Sequence, residues 1–149
     1  MGVTLDDDAR QYLAAFEDVT GVDGQDCLVI ETADDDDETE PKRLLVVVSS
    51  GRMSKAIGPG GRTVHQYEER VGLPVRLVED ADDPETFVAN TLAPAAVYNV
   101  TISENDDTVA YVEVADSDRG VAIGTNGRTI DAARTLAERH FGIDDVQLI

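Results

Sequence analysis

The spacing of apolar residues predicts two consecutive sets of helices and strands in the same order. Apolar side chains recur every three or four residues over 4–20 and predict an amphipathic helix that buries Tyr12, Leu13 and Phe16. Thr4 and Asp7 are placed to form a capping box at its start. The first half continues with strands at 27–30 and 44–48, short helices at 51–57 and 62–71, and a strand at 75–78.

The same order begins again after an acidic stretch at 79–83. Pro84 follows Asp83, a residue that commonly caps helices, and therefore predicts a helix start. The second half then contains that helix to about 92, strands at 97–102 and 109–114, helices at 118–123 and 128–141, and a strand at 146–149. We therefore predict an α+β protein with two domains, at 1–80 and 81–149.

A nine-residue stretch, written twice, marks the centre of each half. Residues 56–64 read AIGPGGRTV and residues 122–130 read AIGTNGRTI. Each copy has two glycines around two variable positions, followed by arginine and threonine. Glycines allow a sharp turn and a close approach of the backbone to a ligand. A helix that starts after the second glycine directs its free N–H groups there, which favours phosphate binding.

The distribution of charge agrees with a phosphate ligand even though the whole chain is acidic. The 149 residues carry a formal net charge of −19. Seven of the twelve basic residues nevertheless lie in 42–76 and four more in 119–139, around the two glycine stretches. Arginine far outnumbers lysine on a carboxylate-rich chain, which is typical of adaptation to a salt-rich cytoplasm. At about 1 M salt the Debye length is only ~3 Å, so the carboxylates would repel one another little.

Several functional classes find no support in the sequence. There is no phosphate-binding Gly-Lys-Ser/Thr motif, and His65 and His140 have no partners at metal-ligand spacing. The single cysteine, Cys27, lies in an apolar run and is predicted to be buried. No apolar run reaches the roughly 20 residues of a membrane span, and no secretory signal is visible. We expect a cytoplasmic protein that is not an enzyme, with no cofactor, metal, membrane partner or small-molecule substrate.

Ile-Gly-x-x-Gly between two helices, in this order of elements, resembles the type II KH domain. Two copies without other modules resemble the archaeal form of the transcription factor NusA. The similarity is strongest at 119–124 and 138–144, and residues 90–95 resemble the inter-domain helix of that family. The resemblance implies two αββααβ domains, each with a three-stranded mixed sheet covered by helices. The variable loop pairs depart from many KH loops because they lack lysine and arginine.

The resemblance also implies which residues bind RNA, since a KH loop clamps about four nucleotides of single strand. The implied contacts are Lys55, Ile57, Gly58, Pro59, Gly60, Gly61 and Arg62 in the first copy and Ile123, Gly124, Thr125, Asn126, Gly127 and Arg128 in the second. Arg62 and Arg128 are the candidates for phosphate contacts, with Arg52 as a further one. Val64 and Ile130 are expected in the groove floor or in the core.

Two functions remain open on the sequence alone. The first is a transcription factor that binds single-stranded nascent RNA and modulates elongation or termination by RNA polymerase. The second is an adaptor whose KH folds dock on RNA polymerase or the ribosome and bind RNA weakly or not at all. Within the first function, we expect the second loop to contribute more, because Thr125 and Asn126 can donate hydrogen bonds and Pro59 lacks an N–H.

Overall fold

The computed structural model describes residues 7–30 and 42–149, which separate into two compact units, Met1–Asp80 and Ala81–Ile149. In unit 1 the elements are α1 (Asp7–Thr20), β1 (Gly24–Ile30), β2 (Arg43–Val48), α2 (Met53–Ile57), α3 (Arg62–Val71) and β3 (Val75–Glu79). In unit 2 they are α4 (Pro84–Thr91), β4 (Val97–Glu104), β5 (Thr108–Val114), α5 (Arg119–Ile123), α6 (Arg128–Phe141) and β6 (Asp145–Leu148). The predicted capping residue Thr4 and the acidic run 34–38 lie outside the described residues.

Each unit contains a three-stranded mixed sheet, so the predicted fold class is confirmed. The first strand of each sheet is antiparallel to the second, and the second is parallel to the third. A parallel pair needs a crossover connection. In both units that crossover consists of the two helices that flank the glycine loop, so the loop lies at the corner between them.

Unit 1 closes around its central strand. All residues of β2 from Leu44 to Val48 are fully buried, as a continuous apolar run predicts for a central strand. Phe16 of α1 meets Tyr67 of α3 edge to face, with ring centroids 5.0 Å apart. The Tyr67 hydroxyl donates to the Tyr12 carbonyl oxygen at 2.7 Å, and burial raises the pKa of this phenol. Aromatic packing and this bond hold α1 against α3.

Unit 2 repeats the plan with smaller side chains and a longer final helix. Its core is formed by β5, β6 and the inner faces of α4 and α6, and it is rich in alanine and valine. As predicted, Asp83 caps α4, and its carboxylate accepts from the Thr86 amide at 2.8 Å. Helix α6 has 14 residues against 10 in α3, which is the predicted extra turn.

Two predicted boundaries in unit 1 are wrong by a few residues. Strand β1 begins at Gly24 rather than at Cys27, because the prediction followed the apolar run 27–30, whereas the strand also includes the three preceding residues, where the register shifts between Gly24 and Asp26. Helix α2 begins at Met53, since Gly51 has a φ of 79° that no helix contains. Cys27 is buried, as predicted, with its sulfur 3.5 Å from the Ala9 carbonyl oxygen.

Candidate nucleic-acid interface

The two glycine loops, 58–61 and 124–127, have the same backbone conformation. The first glycine of the first loop, Gly58, has φ 76° and ψ 172°. Its equivalent in the second loop, Gly124, has φ 80° and ψ 168°. Each loop forms a single 3₁₀ turn, closed by an amide that donates across it: Gly61 to the Gly58 carbonyl and Gly127 to the Gly124 carbonyl, both at 3.1 Å. The repeat in sequence therefore corresponds to a repeat in structure.

A threonine packed beneath the loop explains why the first position requires glycine. A methyl group placed on Gly58 would lie 2.1 Å from Thr63 Oγ1, and one on Gly124 would lie 2.3 Å from Thr129 Oγ1. The positive φ excludes other residues independently. Our sequence reasoning assigned no role to Thr63 or Thr129. The signal that could have revealed them is their presence at the same position in both copies.

The third loop position requires a left-handed backbone, although the sequence suggested a freely variable site. Gly60 has φ 62° and ψ 20°, and Asn126 has φ 56° and ψ 26°. Among the described residues, Asn126 is the only non-glycine with positive φ. Asparagine adopts this region more readily than most other residues, so both loops satisfy the same constraint with different side chains.

The helices that follow the loops begin without a side-chain cap. Gly61 and Gly127 are the N-caps of α3 and α6. Both helix starts lie within the described residues, and neither has a capping hydrogen bond from a side chain. Pro59 and Thr125, at the second loop position, are exposed. A glycine corner at a helix N-terminus gives a bound anion a favourable dipole. The amides of Gly61 and Arg62, and those of Gly127 and Arg128, already donate to carbonyls within the loop.

The apolar candidates divide between the surface and the core. Ile57 and Ile123, directly before each loop, are 38% and 40% exposed, which is unusual for isoleucine. Val64 is half-buried, and Ile130 is only 7% exposed and belongs to the interior of unit 2. The two exposed isoleucines are therefore the side chains that a base could contact beside each loop.

The basic candidates are not equally accessible. Arg62 and Arg52 are exposed, and Lys55 is exposed with its Nζ 3.4 Å from the Gly21 carbonyl oxygen. Arg128 is half-buried, and its Nε and Nη2 atoms are shielded from solvent. Equivalent positions in the two copies thus present their guanidinium groups differently.

The described residues provide no arrangement typical of a metal site. Within 7–30 and 42–149 there is no group of three His, Cys, Asp or Glu side chains that could hold a metal ion. His65 lies on the surface 3.2 Å from Glu69, and His140 packs against Phe87. No helix in these ranges is long and apolar enough to cross a membrane.

Comparison with known proteins identifies the family. A probable transcription termination protein NusA from Halococcus morrhuae is 57% identical over 99% of both chains. The chain belongs to the NusA family. A second NusA relative, from Halobacterium salinarum, is 53% identical over 99% of both chains, and both relatives come from halophilic archaea, as the composition predicts. The profile of the NusA-like second KH domain matches residues 84–148.

A solved structure has the same fold as this chain. The structure titled "Crystal structure of APE1850" aligns with a TM-score of 0.76 and 27% identity over 97% of this chain and 100% of that one. Both units here have the αββααβ order of the type II KH fold, and the predicted resemblance to archaeal NusA is confirmed.

Proposed function

We propose that this NusA-family chain binds single-stranded RNA at its glycine loops and acts with RNA polymerase during elongation or termination. The observation that carries the proposal is the combination, at each loop, of a rigid glycine turn, an uncapped helix N-terminus and an exposed isoleucine. A phosphate would be attracted by the dipole of the following helix, while an adjacent base would lie on the isoleucine. This chemistry is binding rather than catalysis.

The site is suited to binding in a salt-rich environment. Electrostatic attraction between a protein and a nucleic acid weakens steeply as salt rises. Backbone hydrogen bonds and contacts between bases and apolar side chains act at short range and survive at molar salt. We therefore expect measurable binding to unstructured RNA in molar KCl, with a shallow salt dependence that reflects few phosphate contacts.

Adding one carboxylate to each loop tests the proposal. The double variant Pro59→Asp/Thr125→Asp places a negative charge at the exposed second position of both loops, where neither backbone conformation nor core packing demands the native residue. Its affinity for a fluorescein-labelled unstructured RNA of about 12 nucleotides, roughly three KH footprints, should fall at least about tenfold. Fluorescence anisotropy in molar KCl measures the affinity.

A matched control separates the loops from net charge. Gln11→Glu/Asn105→Asp also adds one carboxylate to each unit, at exposed positions on α1 and on the turn between β4 and β5. This control should bind RNA as the parent does. If the loop variant also binds RNA unchanged while circular dichroism shows both variants folded, the RNA clamp is wrong and the adaptor function replaces it.

The NusA relatives support the proposed role in transcription and, with it, a cytoplasmic location. A cellular experiment tests this part of the proposal. RNA crosslinked to the tagged protein in cells should be enriched in nascent transcripts. Enrichment of mature ribosomal RNA instead would contradict a role at RNA polymerase.

A further inference from the structure

The two loops share one backbone but have different surroundings. The segments compared are 52–65 and 118–131, in which equivalent residues are 66 positions apart. The first contains three cations and no carboxylate, whereas the second contains two cations and two carboxylates. The pairs that differ in charge are Arg52 and Asp118, Met53 and Arg119, Lys55 and Val121, and His65 and Asp131.

Asp131 is a carboxylate that lies beside the second loop. It lies in the first turn of α6, and a methyl group placed on Gly127 would be 3.6 Å from its Oδ2 atom. The first turn of α3, all of which is described, contains no acidic residue. A negative side chain at this place stabilises the helix through the same dipole that would attract a phosphate. Asp131 therefore competes with any anion for the end of α6.

Neither the cations of the second segment nor the neighbouring Arg134 compensates fully for Asp131. Arg134 Nη1 lies 3.0 Å from Asp131 Oδ1, but Arg134 Nε also contacts Asp145 Oδ1 at 3.0 Å, so one guanidinium serves two carboxylates. Arg119 donates from Nη1 to the Ile149 carbonyl oxygen at 3.0 Å, and Lys55 in the first segment has a comparable contact with the Gly21 carbonyl oxygen at 3.4 Å, so these contacts do not distinguish the two segments. Arg128 has two guanidinium nitrogens shielded from solvent, whereas Arg62 in the first segment is exposed.

The first unit has its own acidic residues near the loop, but they are further away. Glu68 and Glu69 lie in the second turn of α3, about 9 Å along the helix axis from Arg62. Glu68 Oε2 accepts from the Val75 amide at 2.8 Å, which directs that carboxylate toward β3. At about 1 M salt, charges at that distance are screened over ~3 Å, so only groups next to the loop act on a phosphate.

We propose that only the first loop holds an RNA phosphate and that Asp131 and Val121 are the residues that keep phosphate from the second loop. This inference rests on the proposed RNA binding and reverses the ranking that the loop residues Thr125 and Asn126 suggested. In the second unit the exposed Val121, 44% accessible, occupies the place of Lys55. A phosphate there would meet a carboxylate and an apolar side chain at the places that His65 and Lys55 occupy in the first segment.

Single variants at the same loop position test the difference directly. Pro59→Asp should weaken binding of the labelled RNA about tenfold, whereas Thr125→Asp should change it by less than about twofold. Both residues are exposed, so each variant should keep the circular dichroism spectrum of the parent. The measurement is fluorescence anisotropy at molar KCl, where distant charges are screened.

Exchanging the residues that flank the two loops should transfer phosphate binding from one loop to the other. In Val121→Lys/Asp131→Asn the second loop should gain phosphate binding, so that adding Thr125→Asp now weakens RNA binding about tenfold. The mirror change Lys55→Val/His65→Asp should weaken RNA binding by a similar factor on its own.

The results that would contradict this inference differ from the result that would contradict the proposed function. Equal losses from Pro59→Asp and Thr125→Asp, a larger loss from Thr125→Asp, or a loss only when both are combined would overturn the inference while RNA binding at the loops stands. No loss from the combined variant would overturn the proposed function itself.

Discussion

At the scale of single residues, the first glycine of each loop is constrained by backbone conformation and by contact at once. Gly58 and Gly124 have φ near 80° with ψ near 170°, a region that is nearly restricted to glycine. Each also lies against the threonine at the second position of the following helix. The third position carries only the conformational constraint, because nothing lies within 4 Å of a methyl group placed on Gly60.

Alanine substitutions at these two positions should differ in cost. Gly60→Ala should lower the free energy of unfolding by about 1 kcal/mol, the cost of a left-handed alanine. Gly58→Ala adds a clash with Thr63 and should cost about 3 kcal/mol or more. Urea denaturation in molar KCl measures both. Adding Thr63→Ala should recover part of the Gly58→Ala loss, and equal losses at Gly58 and Gly60 would contradict the packing argument.

At the scale of secondary-structure elements, α3 links the loop of unit 1 to its core. The helix begins at Arg62 beside the loop and, one turn later, inserts Tyr67 between α1 and the sheet. Its hydroxyl bond to the Tyr12 carbonyl fixes α3 against α1. The orientation of the loop therefore depends on a buried contact several residues away from it.

Loss of that hydroxyl should destabilise the fold without removing the aromatic packing. Tyr67→Phe removes the side-chain donor to the Tyr12 carbonyl oxygen, which lies within helix α1, and should lower the free energy of unfolding by about 1 kcal/mol. Tyr98→Phe is the control, because Tyr98 is 68% exposed and its variant should stay within about 0.5 kcal/mol of the parent. Urea denaturation compares them, and equal stability of the two variants would refute the role of the bond.

At the scale of the whole molecule, a net charge of −19 coexists with basic segments around the loops. Self-repulsion at this charge destabilises a compact state unless salt screens it. The end of β4 and the turn that follows it show the pattern locally, because Glu104, Asp106 and Asp107 are all exposed there. These neighbouring carboxylates repel one another, and the folded protein tolerates that repulsion only at high salt concentration.

Thermal stability should therefore increase with salt. The melting temperature, followed by circular dichroism, should rise between about 0.1 M and 1 M KCl as the Debye length falls from ~10 Å to ~3 Å. Glu104→Gln/Asp106→Asn/Asp107→Asn removes three neighbouring charges and should reduce that rise. A melting temperature that is the same at both salt concentrations would contradict the role of charge screening.

The sequence by itself determined the order of the elements and the position of both loops. These features depend on local periodicity and on glycines whose conformational freedom is a property of the residue, and the repeat showed them twice. Asp83 was predictable as a cap for the same reason, since a capping bond spans only three residues.

Only the tertiary structure decided which candidate side chains face solvent. Ile123 and Ile130 stand at matching places on either side of one loop, yet the first is exposed and the second is buried. Arg62 and Arg128 have the same neighbours in sequence and different exposure, and Asp131 proved to lie beside Gly127. Exposure and electrostatic environment depend on packing between segments that are distant in the chain, and a local pattern contains no information about that packing.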